Sequence, residues 1–147
     1  MAPSKSAVEA LQLFQSLADK RGLKYSHEHP PHIDLKFVIP PQQQLDFELM
    51  LTLQEGDELF INVDDVRFSF FPFPKKEVVD VFSDCVARLL DGSARIEIAD
   101  RFGSAARGTM IRISDGMRLA RYYCTFWPFW LRTTRTIQNK RVGTAQD

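Results

Sequence analysis

Cysteine is scarce in this chain: Cys85 and Cys124 are the two among 147 residues. Two cysteines exclude a disulfide framework, and both stand among apolar neighbours, so buried reduced thiols are expected. Long apolar runs are lacking as well; none approaches the ~20 residues that span a bilayer as a helix. The beginning, MAPSKSAVEALQLFQSLADKRG, has no basic region followed by an apolar stretch of the kind that export uses. It has the pattern of an amphipathic helix instead. A cytoplasmic location without membrane contact is the expectation that follows.

Net charge is also missing, since 19 Lys and Arg balance 19 Asp and Glu. The balance is uneven along the chain. Between Gln42 and Asp65 stand seven acids and no Lys or Arg, whereas between Arg101 and Arg141 stand nine bases and Asp115 alone. Such blocks either pair with each other across strands or leave a bipolar surface that steers a charged partner. Pairing is the simpler expectation, because exposed charges are usually solvated or loosely paired. A hydrophobic content of 44% with 26% charged residues is that of a globular chain and argues against disorder.

What is present is periodicity. Val8, Leu11, Phe14 and Leu17 or Ala18 recur at helical spacing, Ser6 and Glu9 have the spacing of a capping box, and Gly22 is a C-terminal stop. A helix over about 6–21 is predicted. LKYSHEH and IDLKFVI read as short strands. LDFELMLTL alternates Leu45, Phe47, Leu49, Leu51 and Leu53 with polar residues, the period of a half-buried strand. ELFINV and VRFSFF follow across short turns at Gly56 and at Asp64-Asp65, so the pairing is antiparallel. Val78, Val79, Phe82, Cys85, Val86, Leu89 and Leu90 form one stripe of a second helix, 75–91, closed by Gly92. ARIEIAD, GTMIRIS and MRLARYYCTF end the series, with a loop at Gly103–Gly108 and a hairpin turn at Asp115-Gly116.

The expected fold is therefore α+β, order α-β(4–5)-α-β(3). It is an antiparallel sheet of about six to eight strands with both helices on one face. A single domain over 1–131 and a polar basic tail over 132–147, expected to be frayed, complete the reading. In element order alone, the chain loosely resembles the secretion-chaperone-like α+β folds; that resemblance implies nothing about function.

Enzyme motifs are absent. Ser104 in RFGSAARG lacks the strand–turn–helix setting of a hydrolase elbow, and no Lys-Ser or Lys-Thr follows its glycines to make a phosphate loop. Asp46, Glu48, Asp64 and Asp65 fall on a wet face or in a turn, where solvated roles outweigh catalytic ones. His27, His29 and His32 in SHEHPPHID are a weak candidate for three zinc ligands; their spacing matches no established ligand pattern, so neither metal nor cofactor is expected.

One stretch stands out. RYYCTFWPFWLRTTRT, Arg121 to Thr136, carries six aromatic rings. A bulge at Ala120-Arg121 is predicted to turn Tyr122, Cys124 and Phe126 toward the helices and Tyr123, Thr125 and Trp127 away from them. Pro128 then stops ladder pairing. Tyr123, Trp127, Phe129 and Trp130, with Arg121 and Arg132 at the rim, are the candidate partner-binding residues, of types enriched at interfaces. The functional expectation is a non-catalytic binding or assembly module, chaperone-like in the sense of an adaptor, homodimeric or bound to another protein. The alternatives are a small-molecule domain or enzyme with a pocket between the sheet and the second helix, and single-stranded nucleic-acid binding by the rings and bases.

Overall fold

The computed structural model describes residues 2–101, 104–123 and 133–140. Among these residues two helices and nine strands follow one another: α1 (Lys5–Asp19), β1 (Ser26–Glu28), β2 (Leu35–Ile39), β3 (Leu49–Gln54), β4 (Glu58–Val63), β5 (Val66–Phe70), α2 (Lys76–Asp91), β6 (Ala94–Arg101), β7 (Ser104–Arg112), β8 (Arg118–Tyr123) and β9 (Thr133–Ile137). The class is α+β with every strand pair antiparallel. The strands form two sheets, in the orders β1-β2-β3-β4-β5 and β8-β7-β6-β9, where the periodicity alone suggested one.

Helix α1 starts two residues before the expected capping box. Ser4 is extended and its hydroxyl accepts the backbone N–H of Ala7 at 3.1 Å, satisfying one of the orphan donors of the first turn. The buried stripe is Ala7, Ala10, Phe14, Leu17 and Ala18, while Val8 is 43% exposed. Alanines mark this face because they let a helix lie close to a sheet, and a pattern search weighted toward large residues passes over them. Helix α2 follows its stripe, burying Phe82, Cys85, Val86, Leu89 and Leu90. It ends on Gly92 at φ 77°, a left-handed cap without Cβ strain.

The inner faces of both sheets and the two helices share one buried cluster. Leu35, Phe37 and Ile39 of β2, Leu49, Leu51 and Leu53 of β3, and Phe68 of β5 are fully covered. On the second sheet Ile96 and Met110 are at 0% exposure. Phe14 of α1 meets Phe37 and Phe82 with ring centroids 5.6 Å apart, and Phe82 of α2 meets Phe70 edge-on at 5.4 Å. The joint between both helices and the first sheet is therefore aromatic.

The two sheets meet by packing rather than by edge pairing. Gly108 lies inside β7, not at the end of a loop as its sequence context suggested. A Cβ placed there would stand 2.6 Å from Cγ1 of Val66 at the start of β5, so the missing side chain is what lets the strands approach. Gly108→Ala is expected to cost about 1–2 kcal/mol through overpacking, and Val66→Ala in the same chain should return most of it. A thermal melt of the two single variants and the double variant reads the coupling.

The polar run TTRTI, expected as part of a tail from residue 132, is instead the edge strand β9. It pairs with β6 from Ile96↔Ile137 to Asp100↔Thr133. Its β-branched residues suit a strand, but an edge strand buries little, so no apolar alternation announces it. Just beyond, buried Asn139 donates to the carbonyls of Gln44 and Leu90 at 2.7 Å each and accepts from Asp46 N–H, and Asp46 accepts from Lys140 N–H. The chain after β9 is thereby tied to the β2–β3 connection and to the end of α2.

Candidate binding face

The outer face of the second sheet is the surface on which the unexplained residues gather. Its geometry follows from strand alternation. In β6 Arg95, Glu97 and Ala99 point away from the core, and in β7 Arg107, Thr109 and Ile111 do so. The register then sets rows across the strands: Thr134, Ala99, Arg107 and Tyr123 in one, Thr136, Glu97, Thr109 and Arg121 in the next, and Arg95, Ile111 and Arg118 in a third. Among the described residues no helix covers this face, because α1 and α2 both contribute to the core on the other side.

Four arginines, Arg95, Arg107, Arg118 and Arg121, share this face with one acid. That acid is Glu97, which accepts from Arg95 Nε at 2.9 Å. Arg118, Arg121 and Tyr123 are exposed, Tyr123 at 49%, and Arg121 Nη1 donates to the Tyr123 hydroxyl at 3.1 Å. A cleft of about 480 Å³ runs over the face, bordered by Glu97, Arg107, Thr109, Arg118, Tyr123, Thr134 and Thr136 and reaching Arg135. The surface is cationic, rich in hydroxyl donors and equipped with one exposed ring, which suits carboxylates and other anions.

The predicted bulge in β8 is present, placed at Leu119: Met110 pairs with Ala120 and Ile111 with Arg118. The extra residue lets Leu119, Ala120 and Tyr122 all pack against the core, while Arg121 and Tyr123 face outward as expected. Of the other proposed contact residues, Trp127, Phe129, Trp130 and Arg132 lie outside the described residues, as do Cys124, Thr125, Phe126 and Pro128. The sequence reading missed Arg107, Thr109, Arg118, Thr134 and Thr136. Period-two spacing of Arg107 with Thr109, and of Thr134 with Thr136, was the signal for them.

The acidic and basic blocks meet at Arg135, across sheets and not between neighbouring strands. Arg135 of β9 donates Nε to Asp100 at 2.9 Å and Nη2 to Asp65 at 2.7 Å, and Nη1 contacts Asp64. Asp65 also accepts the backbone N–H of Ala105 at 2.6 Å. Burial pulls the Asp65 carboxyl up, but the Ala105 N–H and the Arg135 guanidinium outweigh it and hold the group below its ordinary value. Asp100 is 8% exposed, and its Oδ1 is buried without a hydrogen-bond partner among the described residues. Three carboxylates therefore depend on one guanidinium.

The remaining candidates do not converge. His27 and His29 have ring centroids 6.4 Å apart, and Nδ1 of His29 lies 2.7 Å from the Asp34 carbonyl oxygen. Among the described residues no group of three His, Cys, Asp or Glu side chains is placed to hold a metal ion. Burial pushes the Cys85 thiol up to about 12, with Asp84 adding to the shift and Arg88 opposing it, so no activated nucleophile stands there. Between the first sheet and α2 the space is filled by Phe70 and Phe82. At the surface a hollow of about 370 Å³ lies between the end of β5 and α2, lined by Ser69, Phe70, Phe71, Pro72, Val78 and Val81. No helix among the described residues is long and apolar enough to cross a membrane.

The chain matches no family model, no curated protein and no solved structure. The loose likeness to secretion chaperones thus rests on element order alone.

Proposed function

We propose that this chain is a non-catalytic binding and assembly module that docks a protein partner, through acidic side chains of that partner, on the outer face of the second sheet. The observation that carries the reading is the row structure of that face. Arg107 of β7 and Arg118 of β8 border a cleft with Tyr123 at its rim, Arg121 joins them on the same face of β8, and both helices lie on the opposite side. Arg and Tyr are the anchors that interfaces favour. Exposed cations of this kind steer encounter more than they deepen affinity, so binding is expected to weaken as salt rises.

Charge reversal tests it. Arg118→Glu with Arg121→Glu is expected to weaken binding of a fluorescently labelled acidic peptide at least about tenfold, chiefly in the association rate. Both side chains are exposed, so the fold should be unaffected; unchanged affinity would remove the face from the proposal.

The assembly part of the proposal concerns the neighbouring Trp127, Phe129, Trp130 and Arg132. Self-association through this segment, which directly follows the exposed Tyr123, predicts a dimer by light scattering and a monomer for Trp127→Ala with Trp130→Ala. A wild type that stays monomeric at high concentration removes self-association and leaves a heterologous partner. A small molecule retained through purification and detected by native mass spectrometry would favour the ligand-binding alternative instead.

A further inference from the structure

We infer that the basic face selects among acidic partners, and that Glu97 is the selecting group: the segment it takes has acidic residues interrupted by a neutral or basic one. The inference rests on the docking reading above and adds its specificity. Glu97 stands near the centre of the face, with Thr136 beside it on β9 and Thr109 on β7, and Arg121 lies one strand further on. Its partner Arg95 is on the same strand, so the carboxylate is held in place rather than removed. Any extended chain that crosses from β9 to β8 along this row must pass over it.

The spacing sets the pattern. Neighbouring strands are about 4.8 Å apart and an extended chain advances about 3.3 Å per residue. Glu97 and Arg121, two strands apart, are therefore separated by about three residues of a crossing segment. An acid above Arg121 or Arg107 meets a guanidinium, whereas an acid above Glu97 meets a like charge, which is a device against the wrong partner. A Lys or a neutral residue at that point removes the repulsion.

The same feature argues for a peptide over single-stranded nucleic acid. A phosphate at every nucleotide allows no interruption over Glu97. Overall neutrality of the chain points the same way.

Three labelled probes separate the outcomes by fluorescence anisotropy: an uninterrupted Asp/Glu peptide, a peptide with equally many acids interrupted by Lys, and oligothymidylate. The wild type is expected to bind the interrupted peptide at least about fivefold more tightly than the uninterrupted one, with oligothymidylate weakest. Glu97→Gln should tighten the uninterrupted peptide until the two peptides agree within about twofold. Equal affinities in the wild type, a preference that survives Glu97→Gln, or oligothymidylate as the tightest probe would each overturn the inference. If Arg118→Glu with Arg121→Glu leaves all three probes unaffected, the docking face itself is wrong; if it abolishes peptide binding while no preference is found, only the selectivity fails.

Discussion

Replacing Arg135 by Ala is expected to destabilise the fold by about 2–4 kcal/mol, a fall in Tm of roughly 5–15 °C at this chain length. Asp64, Asp65 and Asp100 all lose the one cation that joins them. The greatest cost falls on Asp100, whose side chain is 10% accessible and whose other oxygen has no partner among the described residues. Removing one member of a buried pair leaves an uncompensated charge, which costs more than the pair contributes. Asp64 and Asp65 keep water contact, so the expected loss lies toward the low end of that range.

Two further measurements distinguish this account from a loss of packing alone. Arg135→Met combined with Asp100→Leu should recover a substantial part of the loss, because it removes the buried carboxylate along with its partner. The pH dependence has a definite sign. The folded-state value of Asp65 is depressed below 3.8, so its contribution is present above the ordinary carboxylate range and vanishes as pH falls through the folded value. The stability gap between wild type and Arg135→Ala is therefore expected to narrow between about pH 6 and about pH 3. A constant gap in urea titrations across that interval would contradict the carboxylate account.

The largest single loss is expected for Phe82→Ala, about 3–5 kcal/mol, the range for deleting a buried aromatic side chain. Phe82 is fully buried and touches Phe14 of α1 and Phe70 of β5, so its removal opens a cavity at the joint of both helices and the first sheet. Phe82→Leu, which fills most of that volume, should cost less than about 1.5 kcal/mol. Thermal or urea melts give both values. Peptide binding by the folded Phe82→Ala protein is expected to be unchanged, because the ring and the binding face lie on opposite sides of the second sheet; a parallel loss would mean that the face is shaped by the core.

Much of the fold was legible because each element carries a period. Helix α2 and strands β2 to β5 were found from spacing, and Gly92 and Gly56 take the positive φ that their positions required. The failures share a cause. The TTRTI strand is an edge whose pairing leaves polar residues wet, Gly108 marks a close approach that looks like a loop in sequence, and α1 buries the small Ala7 and Ala10 beside Phe14 and Leu17 while Val8 stays exposed. A bulge in β8 was foreseen at Ala120-Arg121 because Leu119 and Tyr122 could not otherwise share a face, and the structure has it at Leu119. Arg121 and Tyr123 followed from it.

By itself the sequence determined the class, the antiparallel order and which side of the clearly alternating strands faces the core, since hydrophobic burial at period 2 or 3.6 is a local property. It also determined that the terminal region is rich in arginine and aromatic residues. Only the tertiary structure decided that the strands divide into two sheets, that Arg135 gathers Asp64, Asp65 and Asp100, and that Arg107, Arg118 and Arg121 share one face with Glu97. Those facts depend on register and on contacts between residues far apart in the chain. Alternation assigns a side chain to a face but does not say which strand lies beside it.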